Sequence, residues 1–171
     1  IEGRLKDTAY VTNIVSFYRR KLDELAGITG SSSGRASCGF APDPYKTFNR
    51  GYTDYGLRGN KENMASIYTP KSTGERIGVV RKVGPGYFML DAGHDLKSGD
   101  GICFFDASRI LRGSVVNRVE DGRIFIDKNP RPGKDTVIYR NLDRTFVKKS
   151  GSNPCERKIG VSFALIETAD G

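Results

Sequence analysis

The chain has no tryptophan, two methionines, one histidine and three cysteines in 171 residues. The histidine, His94, sits in a Gly-His-Asp setting that reads as a solvated turn, a poor place to build a catalytic triad. Cys38, Cys103 and Cys155 are odd in number and far apart, with no C-x-x-C pair. Neither a zinc pair nor a redox couple is signalled, and a disulfide framework is not expected. The phosphate-loop pattern G-x-x-x-x-G-K and the zinc-protease pattern H-E-x-x-H are both missing, so this chain by itself reads as non-catalytic, without cofactor or metal. Long apolar runs are also absent. The longest uncharged one, Ile159 to Ile166, is far below the roughly 20 residues of a membrane span. The first residues, IEGRLKD, are charged at once and lack the apolar segment of a signal peptide, so the expected location is the cytoplasm, with no membrane partner.

Positive charge and glycine, by contrast, are plentiful. Lys and Arg number 28 against 20 Asp and Glu, a net charge of +8, which favours anionic partners. Residues 76–150 alone hold 15 bases and 9 acids. Arg109, Arg112, Arg118, Arg123, Lys128, Arg131, Lys134, Arg140 and Arg144 either converge on one basic face or scatter around the fold. Only convergence would point to nucleic acid. The length suits one domain of roughly 100–150 residues plus additional chain.

Asp7 or Thr8 can cap a helix whose apolar positions Tyr10, Val11, Ile14, Phe17, Tyr18, Leu22 and Leu25 recur at three- and four-residue steps, with Gly27 as its stop. That stripe is expected to face a core, and Arg19-Arg20-Lys21 beside it to be a solvated face. From Ile28 to Lys46 the Gly, Ser and Pro content removes any period, so a linker or draped loop is expected, mobile around Ser31 to Ser33. In the tract that follows, Phe48, Tyr52 and Tyr55 alternate with Arg50, Arg58 and three glycines. Two readings of it stand: the rings and arginines stack and hydrogen-bond a nucleic acid, or Phe48 and Tyr52 anchor the segment on a core while Arg50 pairs with an acid.

From Arg76 the period becomes that of strands. RIGVVRKV and YFMLDA flank a Gly-Pro-Gly turn, and SVVNRVE and RIFID flank Asp121-Gly122, so two hairpins are expected. With LKSGDGICFF, PRPGKDTVIYRN and DRTFVKK, about six short strands punctuated by Gly and Pro predict a small closed β-barrel. Cys103 falls in a strand as a buried small hydrophobe. Asp100 and Asp106, the acids flanking it, read as a turn residue and a strand-end cap. The final alternation Ile159, Val161, Phe163, Leu165 predicts one more strand, which needs a sheet to join. Both ends therefore look cut from something larger.

The run IEGRLKD followed by YVTNIVSFYRRKLDE, and then Phe48-Asn49-Arg50-Gly51-Tyr52-Thr53, resembles the collagenase-like peptidase family U32 over residues 1–150. The segment after Thr53 departs from the family pattern, with Asp54-Tyr55-Gly56-Leu57 in place of a Gly-aromatic order. The resemblance implies a catalytic domain upstream that carries the family's cysteine-rich segment, so none of the three cysteines here inherits that role. It further implies a division into residues 1–26, a helix packing on that domain; 27–75, the Gly/Ser-rich loop and the FNRG segment; 76–150, the barrel; and 151–171, a strand of a following domain. Members include collagenase-like proteases and RNA base hydroxylases. The expected fold is mainly β with an N-terminal α-helix, and Leu96, Gly99-Asp100, Ile102, Pro132-Gly133 and Val137 make its barrel similar to translation-factor second-domain barrels. The expected role is a non-catalytic accessory module that holds substrate, RNA being the favoured partner. Recognition of a protein substrate, or simple buttressing of a protease, is the alternative. The expected substrate-binding residues are Arg4, Lys6, Phe48, Asn49, Arg50 and Tyr52, with Arg50 the most informative, because guanidinium and neighbouring backbone together suit a phosphate.

Overall fold

A computed structural model of the chain describes residues 3–25, 34–59, 65–127, 131–152 and 155–166. The helix stop at Gly27, the mobility at Ser31–Ser33, and Ile1, Glu2 and Lys128 lie outside these residues. Helix α1 spans Thr8–Leu25. Asp7 is its cap, since one carboxylate oxygen accepts the Tyr10 N–H at 2.7 Å and satisfies a first-turn donor that the helix itself cannot. The apolar stripe is only partly covered. Ile14 is buried, but Tyr18, Leu22 and Leu25 are exposed. The face that turns inward also carries Asn13 and Ser16, both buried, so polar bonds fix the helix orientation as much as apolar contact does. Arg19 pairs with Asp23 and Lys21 with Glu24 along the solvated face, as expected.

The Gly/Ser tract is less structureless than its composition suggests. It contains strand β1 (Arg35–Ser37) and a single 3-10 turn, Pro44–Lys46, capped by Asp43, whose side chain accepts the Tyr45 N–H. Strands β2 (Glu75–Gly84), β3 (Tyr87–Leu90), β4 (Gly101–Phe105), β5 (Leu111–Glu120), β6 (Arg123–Ile126) and β7 (Val137–Leu142) follow. They close an antiparallel barrel in the order β2-β3-β6-β5-β4-β7. Both expected hairpins are present. Asp121 and Gly122 have φ of 47° and 74°, the left-handed pair whose twist matches a two-residue connection. Strand β2 bulges between Arg76 and Gly78 and again between Val80 and Lys82. Such extra residues bend a strand enough to turn a barrel corner. Alternate residues point inward, and Val80, Phe88, Ile102, Phe104, Val116, Ile124, Ile126 and Ile138 fill the interior. Cys103 is buried too, as expected, but on the opposite face of β4, where its thiol donates to the Thr73 carbonyl at 3.4 Å; burial pushes the thiol up to about 11, so it stays protonated at neutral pH and unsuited to nucleophilic work.

Three expectations are corrected. The tract DRTFVKK, grouped with the strands, is helix α2 (Arg144–Ser152). Asp143 caps it by accepting the Phe146 N–H at 2.8 Å, which puts Phe146 and Ser150 on one buried face. Cys38 and Cys155 form a disulfide across a separation of 117 residues. Nothing in their spacing foretells it; β1 pairs antiparallel with strand β8 (Glu156–Lys158) and delivers the two sulfurs to each other just beyond its ends. The Ser16 hydroxyl lies 3.2 Å from both sulfurs. The last alternation does not enter a sheet among the described residues: Ile159, Val161, Phe163 and Leu165 are all exposed.

Candidate functional site

Five of the six expected binding residues come together. Lys6, Phe48, Asn49, Arg50 and Tyr52 line one open groove of about 1300 Å³, floored by α1 and walled by residues 41–52. Arg4 is exposed in the turn before the helix and is not part of the groove lining. The Lys6 ammonium stands 3.8 Å from the Phe48 ring centroid, and the Arg50 guanidinium carbon lies 5.9 Å from it. Two cations thus share one ring, an attraction between positive charge and the negative face of the π system. Next to them the Tyr45 and Tyr52 rings meet edge to face at 4.8 Å.

The groove is held in shape by two buried asparagines. Asn13, fully buried on α1, donates to the Asp43 carbonyl at 2.7 Å and to the Thr47 hydroxyl at 3.0 Å, and accepts the Asp43 N–H at 2.8 Å. Asn49 donates to the Tyr45 and Thr47 carbonyls and accepts the Gly51 N–H, while its main chain is bracketed by Ser72 and Thr73. Its side chain is therefore committed to the loop and shapes the groove, leaving Phe48 and Arg50 to present outward. Gly51 has φ of 96°, a conformation that a side chain would strain, and it reverses the chain so that Tyr52 returns to the groove. The Tyr52 hydroxyl donates to the Pro44 carbonyl at 2.8 Å. Burial first, then the neighbouring Tyr10, Tyr45 and Asp43, push this phenol up to about 12, so it remains a neutral donor.

A charge network joins the groove to the barrel. Lys46 reaches Asp143 at 2.9 Å and Glu75 at 3.5 Å. Buried Arg140 meets Glu75 at 2.6 Å, Asp95 at 2.9 Å, Asp143 at 3.5 Å and Asp100 at 3.6 Å. Burial alone would lower the Lys46 pKa, but the bond to Asp143 and the carboxylates around it leave it above its ordinary value. Asp143 shows the converse: burial raises it, yet the Lys46 bond, the Phe146 N–H and Arg140 bring it below the usual carboxylate range. Sequence reasoning missed Asn13, Lys46, Arg140 and Asp143, whose partners are distant in the chain; the one local signal was the Asp43-Pro44-Tyr45 turn.

The acids beside Cys103 are structural, as expected. Asp100 accepts the Lys97 and Arg144 N–H groups. Asp106 closes the next turn through the Ser108 and Ile110 N–H groups and pairs with Arg112. The barrel's bases divide between roles. Arg140 and Arg112 are taken up in ion pairs. Arg109 lies over Tyr68, Arg118 over Phe125 and Arg123 over Tyr87. Among the described residues no group of three or more His, Cys, Asp or Glu is placed to hold a metal ion, and no helix is long and apolar enough to cross a membrane.

Residues 1–66 match the family model of peptidase family U32, a span that includes α1 and the whole groove. The chain is also similar to the 23S rRNA 5-hydroxycytidine C2501 synthase of Escherichia coli strain K12, with 30% identity over 177 aligned residues. The alignment covers 96% of this chain and 27% of that protein, so the chain spans about a quarter of the length of the curated relative it matches. The relative is named for an RNA modification and not for proteolysis. No solved structure matches the chain.

Proposed function

We propose that these residues are the substrate-holding, non-catalytic module of a U32-family protein that modifies RNA, and that the groove takes an unstacked base and its phosphate. The observation that carries the reading is the Lys6–Phe48–Arg50 arrangement beside the Tyr45–Tyr52 pair. Rings offer sequence-tolerant stacking surfaces, and paired cations neutralise the backbone. Asn49 and Asn13 position this set, and Arg4 adds charge at the groove's approach. The catalytic domain lies elsewhere in the polypeptide and packs on the exposed Tyr18, Leu22 and Leu25 of α1, while the exposed apolar segment 159–166 joins a following domain. The RNA relative supports this reading. The protein then works in the cytoplasm, where its RNA is.

The test is binding of the chain to ribosomal and transfer RNA at about 50 and 200 mM salt, between which several phosphate contacts cost orders of magnitude in affinity. Arg50→Ala is expected to weaken binding without lowering thermal stability, and to reduce the salt slope by about 1. Absence of binding at both salts would move the module to the alternative, recognition of a protein substrate or support of a collagenase-like protease.

A further inference from the structure

The outer wall of β3, β6 and β5 carries a second set of rings and cations, outside residues 1–66. The register sets Tyr87 opposite Phe125 and Phe125 opposite Arg118, one residue from each of three adjacent strands in a row. Arg123 stands two residues from Phe125 on the same face, opposite Glu120. Their neighbours Phe88, Ile124 and Ile126 fill the interior, so the row faces outward. The Tyr87 and Phe125 ring centroids are 5.7 Å apart at a tilt of 49°. The Arg118 guanidinium lies 4.1 Å from the Phe125 centroid and that of Arg123 5.3 Å from the Tyr87 centroid. Gly84 makes room for the row, because a Cβ there would sit 2.4 Å from the Tyr87 ring.

Closing the barrel requires none of this chemistry. The interior is filled from the other face, and the ladder hydrogen bonds are indifferent to what stands outside. Two guanidinium groups thus lie over two neighbouring rings on one outward surface. A guanidinium that covers a ring keeps its second face open, and that face is planar, weakly hydrated and positive. The Arg118 side chain is 59% exposed, and its pairing with Glu120 is loose, at 3.4 Å. Bases splayed from a single strand stack on such planes, whereas a duplex keeps its bases stacked on each other.

We infer that this wall is a second RNA contact, selective for single-stranded segments, which extends the groove reading and rests on it. The experiment uses the full chain with Arg118→Lys and Arg123→Lys together. This variant keeps the charge, removes both planes and replaces exposed residues, and a thermal melt confirms folding. Binding is measured to a single-stranded ribosomal RNA oligonucleotide and to a duplex of the same length. The expected result is about a tenfold loss of affinity for the single strand, the scale of one lost stacking contact, with duplex affinity unchanged. Equal loss on both RNAs would overturn the inference, since the wall would then supply charge only. Unchanged affinity on both would overturn it too, and the groove reading would stand if Arg50→Ala still weakened binding. Failure of the unaltered chain to bind either RNA would bring down both.

Discussion

Asn13 illustrates how one polar residue on an apolar stripe can govern a site. Its side chain makes three hydrogen bonds to a loop some 30 residues away. Asn13→Ala would leave the Asp43 main chain unpaired in a buried position, at a cost of about 2 kcal/mol. Urea denaturation should show that loss, and RNA affinity should fall with it although Asn13 faces no ligand. Two further residues set the pH response. Burial lowers the His94 pKa below its ordinary value, against a bond to Gly122 and the charge of Asp95, and Asp143 is also held low. In both cases the unfolded chain binds protons more readily than the folded one, so acid favours unfolding. Stability should be flat between about pH 7 and 8, begin to fall near the ordinary histidine value of about 6.5, and fall again below about pH 4 as Asp143 protonates. Melting temperatures from pH 3 to 8 would check this, and His94→Gln should remove the first step alone.

At the level of elements, the connection from groove to barrel is the sensitive one. Gly74 precedes β2 with φ of 74°, and a Cβ there would lie 2.1 Å from the Arg140 carbonyl oxygen. The Gly74 N–H also donates to the Asn49 carbonyl. Gly74→Ala combines left-handed strain with a backbone clash and should cost about 2 kcal/mol or more, measured by thermal or chemical denaturation. The network around Arg140 joins β2 to β7 and reaches the 3-10 turn through Lys46 and the cap of α2 through Asp143. Arg140→Ala would leave Asp100 without its buried cation and Asp143 with Lys46 alone, a loss of about 3–5 kcal/mol. Arg140→Lys should recover only part of it, since an ammonium cannot reproduce the forked contact with Glu75.

Across the whole molecule, the disulfide Cys38–Cys155 ties the tract after α1 to the strand after α2. By restricting the unfolded chain, it should contribute about 2–4 kcal/mol. Cys155→Ser, or reduction of the native protein, is expected to lower the melting temperature and to expose the β1–β8 ribbon to protease. The barrel's amide protection should be kept, because its core makes no use of the sulfurs. A loss of barrel protection on reduction would show instead that the ribbon and the barrel fold as one unit.

The alternation of the strands and the turn chemistry at Gly84-Pro85-Gly86 and Asp121-Gly122 determined the hairpins from sequence alone, since period and φ are local properties. A closed barrel was expected from the number of short strands punctuated by Gly and Pro, and the grouping of Phe48, Arg50 and Tyr52 was legible because they lie within five residues of one another. Other features required the tertiary structure. The helix after Asp143 depended on that residue's capping bond outweighing strand-like composition nearby. Lys6 met Phe48 because α1 docks on the 43–47 turn through Asn13. The disulfide and the Arg140 network join residues separated by 117 and 65 positions. The row Tyr87–Phe125–Arg118 exists only because strand register aligns three segments. Periodicity in a chain reports which face of an element is apolar; it carries no information on which distant element will cover that face, and that choice falls to packing and to the pairing of buried polar groups.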